Sequence, residues 1–111
     1  ECRGPRNIFV ATYERGAGIT LSCGTAMTAS ATASALLGYV VQGERIEVRN
    51  RGGKVYCTTL LGDDIVTRLE GNASFEWRGV ARFEEDAFDF DVVAHSGEEE
   101  AWARFVESIN R

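Results

Sequence analysis

Cys23 is the residue of this chain whose neighbours best prepare it for chemistry. It lies in Tyr13-Glu14-Arg15-Gly16-Ala17-Gly18-Ile19-Thr20-Leu21-Ser22-Cys23-Gly24-Thr25. Ile8 to Tyr13 ahead of it alternates like a strand, and Ala26 to Leu37 after it reads as a helix built of small residues. The thiol therefore falls at or just before the first turn of a helix. The unpaired N–H groups and partial positive charge of such a turn favour a thiolate over a thiol and can hold a carboxylate close by. Gly16 and Gly18 let the loop turn tightly and approach a ligand, and Thr20 or Ser22 is expected to cap the helix.

The helix that positions this thiol is unusual. Ala26 to Leu37 has five alanines and no charge, so it lacks the charged face of a surface helix and is expected to be closely surrounded, with Gly38 as its stop. Hairpins follow. Glu44 to Asn50 alternates around Ile46 and Val48, Arg51-Gly52-Gly53 turns, and Lys54 to Leu61 runs back with Val55, Cys57, Thr59 and Leu61 on one face. Gly62-Asp63-Asp64 leads into Ile65 to Glu70, and Gly71-Asn72 into a further strand over Ala73 to Phe83. The expected fold is α+β, an antiparallel curved sheet or partial barrel wrapped around a central small-residue helix, with a short C-terminal helix. Glu84 to Asp91 is open between one more strand and an unpaired arm. Glu98 to Ile109 reads as an amphipathic helix with Trp102, Phe105, Val106 and Ile109 on one face.

A length of 111 residues, 44% apolar and 26% charged, suits a compact domain. The net charge of −5 is unevenly spread: residues 1–83 hold eight acids and ten bases, residues 84–111 nine acids and two bases. Two regions are expected, a domain over 1–83 and an acidic tail with its helix over 84–111. The acidic balance without clustered Lys or Arg speaks against nucleic acid and anionic membranes as partners, and no run is apolar enough to span a bilayer. Cys2, Cys23 and Cys57, with His95 alone and distant, match no usual zinc spacing. An odd cysteine count without a secretory signal suggests reduced thiols in the cytoplasm, which leaves Cys23 available. The chain starts at Glu1 rather than Met, so a processed product or a fragment is expected.

The segment Tyr-Glu-Arg-Gly-Ala-Gly, then four residues, then Cys-Gly-Thr and a small-residue helix closely resembles the second catalytic segment of diaminopimelate epimerases. Asn50-Arg51-Gly52-Gly53 resembles that family's Asn-Pro-Gly-Gly turn, and Leu69-Glu70-Gly71-Asn72-Ala73 its Leu-x-Gly-x-Ala segment. The likeness covers residues 7 to 83 and identifies the chain with the family's C-terminal half. It implies a cofactor-independent isomerase that inverts the α-carbon of a small amino-acid substrate, LL-diaminopimelate, to the meso form in lysine and peptidoglycan synthesis. One thiolate removes the α-proton from one face while a second thiol protonates the other. By motif position Cys23 is one of these thiols. Glu14 and Arg15 bind the distal end of the substrate, with Glu14 also acting in catalysis, and the Gly24 and Thr25 N–H groups hold the reacting carboxylate.

Ile19 and Ala26 stand where many members carry Glu and Gly. Only one Cys-Gly-Thr segment is present, so the implied partner is the missing N-terminal half with the other thiol; a homodimer is a further possibility. Two alternatives stay open. One is a related two-thiol racemase, though the Asp-Arg-Ser-Pro that precedes Cys-Gly-Thr in proline racemases is absent here; the other is a truncated, non-catalytic domain.

Overall fold

A computed structural model describes residues 1–110 as an α+β protein with nine strands and two helices among them. The chain forms two compact units, Glu1–Asn72 and Ala73–Ile109. The first contains a five-stranded sheet in the order β1 (Cys2–Gly4), β2 (Asn7–Phe9), β5 (Arg45–Asn50), β6 (Gly53–Leu61), β7 (Ile65–Glu70), a small separate sheet of β3 (Thr12–Glu14) and β4 (Gly18–Thr20), and the helix α1 (Gly24–Leu36). All neighbours are antiparallel except β2 and β5, which run parallel because α1 lies in the crossover between them. The sheets are mostly antiparallel and form no closed barrel among the described residues.

The expected strand over Ile8 to Tyr13 is divided between two sheets. Asn7–Phe9 pairs with Glu47–Arg49, and the Val10 N–H extends this ladder by donating to the Arg49 carbonyl at 2.8 Å. The chain then leaves the sheet, and Thr12–Glu14 pairs with Gly18–Thr20 instead. The alternation in sequence is real, but Ile8 and Val10 are buried whereas Tyr13 is exposed. One continuous pattern thus serves two different environments.

Period-2 alternation in β5 and β6 builds the core. Ile46, Val48 and Cys57 project to one face with Thr59 and meet Met27, Ala31 and Ala35, which are spaced four apart on α1. Small residues let helix and sheet approach closely. A threonine chain bridges them: Thr32 Oγ1 lies 2.6 Å from Thr67 Oγ1, which lies 3.0 Å from Thr59 Oγ1. The opposite face of the helix, with Gly24, Thr25, Ala29 and Ala33, is exposed. Within the described residues the helix is therefore packed on one side and not closely surrounded as its composition suggests: small side chains serve the helix–sheet approach on one face only. Past Leu37, the Tyr39 N–H donates to the Ser34 carbonyl at 2.8 Å and ends the helix.

The other face of the sheet is polar. The Glu47 carboxylate receives hydrogen bonds from Asn7 Nδ2 at 3.0 Å, Lys54 Nζ at 3.2 Å and Arg49 Nε. Burial acts to raise its pKa, but the Arg49 and Lys54 hydrogen bonds and charges outweigh this and hold it below the usual glutamate value.

In the second unit β8 (Trp77–Glu84) pairs with β9 (Ala87–His95), so Trp77–Glu84 does not extend the meander from β7 as its sequence suggests. Residues from Ala87 onward take the strand option. The ribbon is amphipathic: Phe83, Phe88, Phe90 and Trp77 share one side, with Trp77 and Phe90 edge to face at 4.7 Å, while Arg82 pairs with Asp89 and Asp91 on the other. Helix α2 (Glu98–Ile109) follows, with three glutamates in its first turn, where the helix dipole favours them.

Two outcomes check this packing. Ile46→Ala should cost about 2–5 kcal/mol in urea unfolding, as expected for a fully enclosed aliphatic side chain; a loss as small as that of an exposed-site control would contradict it. Glu47 has a lowered folded pKa, so its contribution is present above the ordinary value of 4.5 and disappears as pH falls through the lower folded value. Glu47→Gln should therefore lower stability by about 1 kcal/mol near neutrality and flatten the acid limb of stability against pH. Parallel acid limbs in the two proteins would contradict the assignment.

Candidate functional site

The helix start is built around Cys23. It is the N-cap residue of α1, at φ −145° and ψ 104°, and its carbonyl accepts the Met27 N–H at 3.0 Å. The helix therefore begins at Gly24, two residues earlier than composition suggests, and neither Thr20 nor Ser22 is its cap. The Cys23 side chain makes no capping hydrogen bond. Gly24 and Thr25, the first two helical residues, are exposed, and their N–H groups have no intrahelical acceptor by the geometry of an α-helix. The first turn carries no acidic side chain, so the partial charge at this end is left to act on whatever anion approaches.

Glu14 and Arg15 lie on the β3–β4 hairpin. The Ala17 N–H donates to the Glu14 carbonyl at 3.1 Å and closes a four-residue turn with Gly16 in third place at φ +83°, where a side chain would be strained. Arg15 is exposed on this turn, and Glu14 is half-buried. Register places Thr12 opposite Thr20 and Glu14 opposite Gly18, so Glu14 and Thr20 are diagonal neighbours, and Thr20 Oγ1 donates to Glu14 Oε1 at 2.5 Å. Thr20 is three residues before Cys23. Sequence spacing suggested it as a helix cap; pairing the hairpin strands would have found its contact with Glu14 instead.

Two residues that sequence reasoning did not assign to the site, Gly52 and Asn50, hold its backbone. The Gly52 N–H donates to the Leu21 carbonyl at 2.8 Å and also faces Asn50 Oδ1 at 3.1 Å. Asn50 is 5% exposed, and its Nδ2 donates to Met27 Sδ at 3.1 Å. The β5–β6 turn thus touches the segment just before Cys23 and the residue one helical turn after it. Leu69 of β7 is also near, its Cδ1 3.8 Å from where a Cβ on Gly24 would stand.

The other two thiols are placed differently. Cys57 is fully buried in β6; burial pushes its thiol up, and a hydrogen bond with Thr28 opposes that only in part. Cys2 is exposed on the edge strand β1. Cys23 is half-buried at the helix start.

Comparison with known proteins agrees with the motifs. A family model described as diaminopimelate epimerase matches residues 1–76. The diaminopimelate epimerase of Enterococcus faecalis is 32% identical over 100% of this chain and 36% of its own length. That of Lactiplantibacillus plantarum is 38% identical over 98% of this chain and 35% of its own, and that of Clostridium acetobutylicum 44% identical over 69% and 21%. The chain spans about a third of the length of the first two curated relatives it matches.

Thiol reactivity follows from these placements. Iodoacetamide should label Cys23 fastest in the folded chain near neutral pH, ahead of Cys2, and leave Cys57 unmodified until denaturant is added. Peptide mapping reads the order, and labelling of Cys57 as fast as Cys23 would contradict it.

Proposed function

The chain belongs to the diaminopimelate epimerase family, and on that premise we propose that its 111 residues carry one half-site of an epimerase converting LL-diaminopimelate to the meso form without a cofactor. The observation that supports this most is Cys23 as the N-cap of a helix whose first two residues, Gly24 and Thr25, are exposed and whose first turn carries no acidic side chain. An amino-acid α-proton is a very weak acid, so charge that develops on the carboxylate as the proton leaves must be met where it forms. Backbone donors fixed at a helix start meet it without reorganising.

In this reading the substrate's α-carboxylate accepts hydrogen bonds from the Gly24 and Thr25 N–H groups. The Cys23 thiolate takes the α-proton and becomes a thiol, and the electron pair of the broken C–H bond spreads into the carboxylate. A second thiol, outside these residues, gives its proton to the opposite face and becomes the thiolate; the roles exchange in the reverse direction. Glu14 and Arg15 offer one anion and one cation, matching the ammonium and carboxylate at the distal end of the substrate. The Thr20 hydrogen bond fixes the direction of Glu14. Cys57, buried and with its thiol pushed up, fits neither proton step.

A single thiol reaches one face of the α-carbon, and inversion needs both. The purified 111-residue chain should therefore not convert LL- to meso-diaminopimelate, whereas a full-length protein containing this segment should, with Cys23→Ala lowering kcat by about a thousandfold or more. Turnover by the chain alone, lost on Cys23→Ala, would overturn the half-site reading. Full activity of the Cys23→Ala full-length protein would overturn Cys23 as an acid/base.

A further inference from the structure

We infer that Asn50 and Gly52, neither of which has been given a role in the reaction, are positioning residues for Cys23, holding the backbone on both sides of the thiol. The inference rests on reading Cys23 as an acid/base thiol. The Cys23 side chain makes no capping hydrogen bond, so no such bond fixes it independently of its backbone. The direction of Sγ therefore depends on what holds residues 21, 22 and 27.

The β5–β6 turn holds Leu21 and Met27 directly, and Ser22 through Met27. At Leu21 the carbonyl accepts the Gly52 N–H at 2.8 Å, and the approach is so close that a Cβ on Gly52 would stand 2.7 Å from the Leu21 oxygen and 2.9 Å from its carbon. Only glycine fits there without moving the strand of backbone that leads into Cys23. At Met27, fully buried, Sδ receives Asn50 Nδ2 at 3.1 Å and has Ser22 Oγ 3.9 Å away. The other end of the Asn50 amide accepts the same Gly52 N–H, so one buried side chain sets the turn and grips the first helical turn together. Met27 N–H in turn donates to the Cys23 carbonyl. Asn50 spends a buried polar group on a sulfur acceptor, a weak partner, which is a poor arrangement for stability alone and a good one for fixing two segments against each other.

The test is the ratio of iodoacetamide alkylation rates of Cys23 and Cys2 in the 111-residue chain, with Cys57 as the reporter of global opening. Gly52→Ala introduces the clash, and Asn50→Leu keeps the volume and removes both polar contacts. In each, Cys57 should stay protected while the Cys23-to-Cys2 ratio falls by about fivefold or more as the helix-start donors and the thiol lose alignment. A merely structural role would instead move Cys23 and Cys57 together. If one variant exposes Cys57, the other decides. A ratio within twofold of the parent in a variant that keeps Cys57 protected overturns the inference, and so does exposure of Cys57 in both. Failure of the acid/base reading is seen separately, as retained epimerisation in the full-length Cys23→Ala protein, and leaves the alkylation ratio unchanged.

Discussion

The contact between the Gly52 amide and the Leu21 carbonyl is the constraint on which the arrangement of the first unit turns. It joins the two-residue turn between β5 and β6 to the stretch that delivers the chain into α1, across 31 residues of sequence. The β3–β4 hairpin pairs with no strand of the main sheet, so this bond adds a tie to the sheet beyond the chain links through Val10 and α1. The bare backbone at position 52 is what allows the approach, and the buried Asn50 amide is what keeps the turn in place against the helix.

The core exists to hold this arrangement. Ala31 and Ala35 let the helix approach the sheet closely and Met27 fills the space at its first turn, while the threonine chain from Thr32 through Thr67 to Thr59 satisfies hydroxyls that such closeness buries. The helix N-terminus then lies beside the turn and beside Leu69 of β7. The likeness to the epimerase family is carried by residues 13–25 with the helix that follows, 50–53 and 69–73, and the structure sets Leu21 and Met27 against the second of these and Gly24 near Leu69 of the third. The likeness therefore tracks a spatial cluster as well as a string of motifs.

Much of this was legible in the chain. Alternation around Ile46, Val48, Cys57 and Thr59 gave the sheet and its buried face, and Gly-rich turns gave the hairpins, because period-2 burial is a local signal. The α+β class and the small-residue helix followed from the same reading. What was missed is non-local. The Ile8 to Tyr13 alternation does not reveal that the chain changes sheets after Val10, since both halves are extended. Composition could not show that Cys23 itself is the cap, because cysteine has no strong capping preference to read. The pairing of Trp77–Glu84 with Ala87–His95 competed with extension of the meander, and the cross-strand aromatic pairs and the Arg82 ion pairs favour the ribbon. Asn50 read as a turn residue, and nothing in sequence ties its amide to a methionine 23 positions earlier.

The central claim is that the start of α1 receives the reacting carboxylate with Cys23 facing the carbon beside it. The most direct measurement is a crystal structure of a full-length protein containing this segment with diaminopimelate bound. The expected result is a substrate carboxylate within hydrogen-bond distance of the Gly24 and Thr25 N–H groups, the adjacent α-carbon in contact with Cys23 Sγ, and the distal end against Glu14 and Arg15. A substrate bound with its α-carbon away from Cys23, or with Gly24 and Thr25 facing solvent, would contradict the account.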